Sequence, residues 1–257
     1  MRPDRSVAAA AYVRREWRFD DTGDADAAAV TDLIRRFALP GRWLDMGCGP
    51  LLTVWPMFAR THVAVVGIDR EPSIAAFHRR LRERRSRLPV GLRHAVDFFN
   101  ALSKGHNQST RTTVAIRNVE AVVIRNLLDE NVDWSESFDT ILQIGCFGCL
   151  NSYSELQRAL RLVYRYLRPG ARFISTTWIA RSTYVESNRW GGRALAQMSV
   201  TELARAVRAA QMSIMSIQRE SLVYDMDYAE RYSIVATRPT SPRRIRSTAK
   251  RSTRDRR

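Results

Sequence analysis

The stretch Trp43-Leu44-Asp45-Met46-Gly47-Cys48-Gly49-Pro50, followed by the apolar run Val63 to Ile68 and then Asp69, constrains this chain more than any other feature. A short strand runs into two glycines, which let the backbone turn tightly and approach a ligand with no Cβ in the way. The uninterrupted β-branched run reads as a strand buried on both faces, as in a parallel sheet. An acid at its end, 20 positions after Gly49, stands where nucleotide-binding α/β folds accept hydrogen bonds from ribose hydroxyls.

The rest of the chain continues the alternation. Ala25 to Phe37 has helical spacing and stops before Pro40-Gly41. Leu51 to Ala59 is expected to be helical with a kink or early stop at Pro56, and Pro72 to Leu88 to be a helix with proline in its first turn. Glu120 to Leu127 and Phe138 to Ile144 read as strands. Ser152 to Leu167 carries Leu156, Leu160, Val163 and Leu167 on one face and ends at Arg168-Pro169-Gly170, a stop and turn. Arg172 to Thr177 is a fifth strand, Val200 to Ala210 a helix, and Ser213 to Gln218 and Tyr232 to Ala236 are two closing strands, a hairpin with a long connection. Leu92 to Leu102 and the polar stretch after it are expected to form a helix and a loop inserted before the third strand. The expected fold is α/β, Rossmann-like and doubly wound: a mostly parallel seven-stranded sheet with an antiparallel edge strand and helices on both faces. Residues 1–24 would form an N-terminal segment, 25–238 the domain, and 239–257 a disordered basic tail.

The glycine loop discriminates between ligands. A dinucleotide fingerprint has a third glycine for close helix packing, and here Pro50-Leu51-Leu52 follows Gly49 instead. Asp45, just before the loop, would repel a pyrophosphate and suit a cation. S-adenosylmethionine, with its sulfonium and ammonium, fits that pattern better than NAD.

The same residues carry a family resemblance. Asp45-x-Gly47-Cys48-Gly49-Pro50 with Asp69 at the next strand end resembles motifs I and II of class I S-adenosylmethionine-dependent methyltransferases. Phe138-Asp139-Thr140-Ile141-Leu142 resembles their fourth strand, and Leu167-Arg168-Pro169-Gly170-Ala171 their Leu-[Lys/Arg]-Pro-Gly-Gly turn, with Ala171 in place of the second glycine. A closer similarity is to the nicotinamide, phenylethanolamine and thioether methyltransferase family. It rests on Tyr12 and Trp17 near the N-terminus, the loop Asp45 to Pro50, the insertion Leu92 to Asn118, and Ser182-Thr183-Tyr184 after the fifth strand. That resemblance implies that Tyr12 and Trp17 form a lid over the cofactor. It also implies that Asn126 and Leu127 meet the adenine and that Ile144 and Gly145 line the pocket. Trp178 stands where the nicotinamide enzymes have an acid, and Gly148 where the family has an acidic residue, so an aromatic or less polar acceptor fits better than a cationic amine.

Methyl transfer from a sulfonium needs alignment of donor and acceptor more than a strong base. Trp178 and Trp190 could stack on a flat substrate, with Ser182 and Tyr184 as further substrate contacts and Tyr184 as the candidate catalytic group. The expected reaction is methylation of a small molecule, at a nitrogen of an aromatic or amine metabolite. An RNA methyltransferase and an inactive cofactor-binding protein or scaffold are the alternatives. Against base N-methylation, the fourth strand runs into Gln143-Ile144-Gly145-Cys146-Phe147 in place of [Asp/Asn]-Pro-Pro-aromatic.

The net charge of +16 invites a nucleic-acid reading. Eight basic residues against one acid lie in the tail from Pro239, however, and a further basic run, His78 to Arg87, reads as the solvated face of a helix. Nonspecific contact with polyanions through the tail follows; a dedicated nucleic-acid site does not. Cys48, Cys146 and Cys149 are too few for a disulfide framework, and no metal ligand set is expected. With no long apolar run and no secretory leader, a cytoplasmic protein is expected.

Overall fold

The computed structural model describes residues 25–59, 62–83, 118–183, 198–222, 225 and 227–240. The chain alternates as α1 (Ala25–Phe37), β1 (Gly41–Met46), β2 (Val63–Asp69), α2 (Pro72–Glu83), β3 (Val119–Ile124), β4 (Phe138–Ile144), α3 (Tyr153–Tyr166), β5 (Leu167–Ala180), α4 (Val200–Ala209), β6 (Ser213–Ser221) and β7 (Tyr228–Thr237). The seven strands form one sheet in the order β3-β2-β1-β4-β5-β7-β6. β1 to β5 pair in parallel, while β7 lies antiparallel between β5 and the edge strand β6. This is the expected doubly wound sheet with antiparallel pairing at its edge.

Successive side chains of a strand face opposite sides, and the core divides accordingly. Trp43, Val63, Val65, Leu142, Ile174 and Val235 pack with α1 and α2 on one face. Leu44, Val66, Ile141, Phe173 and Ile234 pack with α3 and α4 on the other. Two of these helices open on a side-chain cap. The Ser152 side chain accepts from the Glu155 amide to open α3, and Ser199 with Glu202 forms a reciprocal capping box on α4.

Two expectations change. Leu51 to Ala59 is not an α-helix: it forms two 3-10 turns, Gly49–Leu51 and Trp55–Phe58. Pro50 and Pro56 supply no amide donors there, and the bonds that form are three-residue ones, Val54 to Leu51, Met57 to Val54 and Ala59 to Pro56. Residues 50–58 are buried throughout, so the segment is core filler rather than an amphipathic helix. β5 is also longer than Arg172 to Thr177. Its pairing with β4 begins at Leu167 and shifts register before Arg172, so the Arg168-Pro169-Gly170 turn, with Gly170 at φ +82°, is absorbed as an irregularity at the strand start. α2 is described to Glu83; its expected continuation to Leu88 and the insertion from Leu92 lie outside the described residues, as does most of the basic tail.

Candidate active site

β1 pairs with β2 on one side and β4 on the other. The strand order therefore reverses at β1, and ligands of open α/β sheets bind at the carboxyl ends of such strands. The glycine loop sits at that point. The Gly47 and Cys48 amides both donate to the Ile68 carbonyl, at 2.8 and 3.2 Å, which anchors the loop to the end of β2.

Gly49 is held from both sides of its peptide. Its amide donates to Asp69 Oδ2 at 3.0 Å. Its carbonyl lies 2.9 Å from His78 Nε2 of α2. The residue adopts φ +51°, and a Cβ built on it would meet nothing within 4 Å among the described residues. A left-handed conformation suits glycine, and the open space beside it is a cradle at the mouth of the loop. Asp69 Oδ1 accepts from the Glu71 amide at 2.9 Å. Both carboxylate oxygens thus hold backbone, with lone pairs left for further donors.

Gly47 is confined where Gly49 is open. At φ +71°, a Cβ there would collide with the Cβ of Cys146 and lie 2.8 Å from its Sγ. The Cys146 thiol donates to the Met46 carbonyl at 3.0 Å. The turn after β4 is therefore packed directly on the loop after β1. That turn begins at Gly145, φ +84°. Gln143, fully buried, turns its amide oxygen to accept from Gly145, Cys146 and Phe147 at 3.1, 2.7 and 2.9 Å, while its nitrogen donates to Ser175 Oγ at 2.6 Å. The Trp178 ring lies 3.4 Å from where a Gly145 Cβ would be.

Asp45 is the electrostatic oddity of the site. It is buried, 1% exposed, and its Oδ2 has no hydrogen-bond partner among the described residues. Burial first, and the Asp69 charge second, raise its pKa to about 8. A carboxyl in that state invites a cation, which would restore its ionised form.

The structure brings Asp45, Gly47, Gly49, Pro50, Asp69, Ile144 and Gly145 together around the ends of β1, β2 and β4. Asn126 follows β3, and its Oδ1 accepts from the Leu128 amide, forming the turn that carries Leu127. Ser182 is exposed just past β5. Tyr12, Trp17, Tyr184 and Trp190 lie outside the described residues. Two residues of the site escaped sequence reading. His78, assigned to a solvated basic run, instead faces inward with Ile74, Phe77 and Leu81; the spacing of these four along one helical stripe was the available signal. Gln143 carried none, because a buried glutamine in an apolar strand shows its partners only once the turn is folded. Cys48 is buried, Cys146 half-buried and Cys149 exposed. Among the described residues no group of three or more His, Cys, Asp or Glu side chains is placed to hold a metal, and no helix is long and apolar enough to cross a membrane.

Residues 14–217 match the family described as Methyltransferase domain. The chain belongs to that family. No curated protein matches it. Solved structures with the methyltransferase fold do, at low identity. A geranyl diphosphate C-methyltransferase from Streptomyces coelicolor, solved with Mg2+, geranyl diphosphate and S-adenosyl-L-homocysteine, is 17% identical over 83% of this chain and 78% of its own, with a TM-score of 0.56. An S-adenosylmethionine-dependent methyltransferase from Methanosarcina mazei is 15% identical over 81% and 98%, with a TM-score of 0.53. The [4+2]-cyclase SpnF is 19% identical over 83% and 81%, with a TM-score of 0.54. These likenesses establish the methyltransferase fold, and the cyclase among them marks that the fold also serves other chemistry.

Proposed function

We propose that this methyltransferase domain binds S-adenosylmethionine at the carboxyl ends of β1, β2 and β4 and methylates a small molecule, at a nitrogen of an aromatic or amine metabolite. The observation that carries the reading is the pairing of the open space at Gly49 with a buried carboxyl at Asp45 whose Oδ2 has no partner among the described residues. Asp69 accepts from ribose hydroxyls with its remaining lone pairs. Asp45 faces the positive charge of the methionine portion. Asn126 and Leu127 flank the adenine, and Ile144 and Gly145 wall the pocket. When bound, the cofactor supplies an already activated methyl group, so the chain's own task is to align the acceptor and exclude water. Trp178, beside Gly145, offers an aromatic face for a flat acceptor. The resemblance to the nicotinamide, phenylethanolamine and thioether enzymes gives Tyr12 and Trp17 the part of a lid and Ser182, Tyr184 and Trp190 that of acceptor contacts.

Calorimetric titration with S-adenosylhomocysteine, and with NAD as control, tests the cofactor. The thioether should bind and NAD should not. Asp69→Ala should weaken binding by about 1–3 kcal/mol, through lost ribose hydrogen bonds and a loosened Gly49 amide. Labelled cofactor added to cell extract should then put label into an organic-soluble fraction; label in a nuclease-sensitive fraction would replace the small molecule by RNA. Binding without any transfer would make the chain a cofactor-binding protein.

A further inference from the structure

We infer that His78 is a positioning residue for the cofactor, holding the Gly49 carbonyl so that the glycine loop keeps the shape that receives the ligand; this rests on the cofactor reading above. His78 is 2% exposed, on the inward stripe of α2. Its Nε2 lies 2.9 Å from a carbonyl oxygen, which can only accept. Nε2 therefore carries the proton, and Nδ1, which has no partner among the described residues, is the bare acceptor. Burial, offset only in part by the Gly49 contact, lowers the imidazole pKa to about 4, so the ring is neutral wherever the protein is near neutrality.

The consequence for the loop is geometric. Gly49 takes a left-handed conformation that Asp69 secures through the amide and His78 through the carbonyl. Asp69 has a second duty toward the ligand, whereas the polar contact of His78 is to the Gly49 carbonyl. The third glycine of a dinucleotide fingerprint, which would let the helix pack close to the loop, is missing here. Pro50-Leu51 closes a short 3-10 turn in its place, and the imidazole bridges from α2 to that turn. The His78 ring also packs edge-on to Phe77, with centroids 5.3 Å apart.

The test compares His78→Phe, which keeps a ring and removes the donor, with His78→Gln, which keeps an N–H able to reach the carbonyl. S-adenosylhomocysteine affinity should fall by about tenfold in H78F, the worth of one buried hydrogen bond, and recover to within about threefold of wild type in H78Q. Equal affinity in a folded H78F, or no recovery in a folded H78Q, overturns the assignment. Nitrogen-15 shifts of the wild-type ring give a readout free of mutation: the Nε2–H tautomer, untitrated down to about pH 5, is expected, and the Nδ1–H tautomer overturns the proposal even if H78F does not fold. A wild type that binds no S-adenosylhomocysteine overturns the cofactor reading and this proposal with it, whereas wild-type binding unaffected by H78F overturns this proposal alone.

Discussion

Replacing Asp45 by asparagine should make the unliganded protein more stable and its cofactor complex weaker. The carboxyl is 1% exposed, one oxygen has no partner among the described residues, and its pKa rises from 3.8 to about 8. An acid whose folded value lies above its unfolded value holds its proton more tightly in the folded state. Its contribution to stability is complete below the unfolded value, declines as pH rises, and is gone once pH passes the folded value. At pH 7 the ordinary carboxyl of the unfolded chain is ionised, and keeping the buried one protonated costs about 3 pH units, or ~4 kcal/mol at ~1.36 kcal/mol per unit. Asparagine has the same shape and no such cost. Local relaxation and water penetration reduce the figure, so a gain of about 2 kcal/mol is expected, which is a melting temperature higher by about 4–8 °C at this chain length. Melting curves of both proteins from about pH 5 to about pH 9 check it: the gap should widen up to about pH 8 and then level off. S-adenosylhomocysteine should bind the variant less tightly, because a neutral amide cannot pair with its ammonium. Coincident melting of the two proteins at every pH would refute the reasoning, since it would mean that Asp45 is ionised and compensated in the folded state.

Two further perturbations probe the contact between the two loops. Gly47→Ala should destabilise by roughly 2–4 kcal/mol, from the left-handed backbone and the collision with Cys146. In urea titrations Cys146→Gly should recover part of that loss in the double variant, while Cys146→Ala, which keeps the offending Cβ, should recover less. Gln143→Leu should cost about 2–3 kcal/mol, measured the same way, because the amides of Cys146 and Phe147 lose the oxygen they share, while Gly145 keeps its bond to the Thr176 carbonyl.

Much of this protein is legible in its sequence. Periodicity placed α1, β2, β4, α3 and α4 close to their final bounds, because each carries its burial pattern within its own length. The glycine pair and the acid after it were legible as well, since a tight turn and a charged strand end are local events. The segment after the loop was misread as helical: its two prolines and continuous burial together favour 3-10 turns, and neither signal decides alone. The start of β5 was misread because a Pro-Gly turn can be taken up by a strand when a neighbour offers a shifted register, and that neighbour, β4, lies about 30 residues upstream.

The sequence by itself determined the alternation of strands and helices, the glycine loop and the sign of charge around it. Tertiary structure alone decided that Gly49 is open while Gly47 is pressed against Cys146, that the inward-facing His78 meets the Gly49 carbonyl, and that Asp45 Oδ2 is buried with no partner among the described residues. The physical reason is distance along the chain. The loop meets His78 across 29 residues and the Cys146 turn across about 100. Contacts between such distant segments, and the burial that shifts the pKa values of Asp45 and His78, arise only when the sheet brings the ends of β1, β2 and β4 side by side.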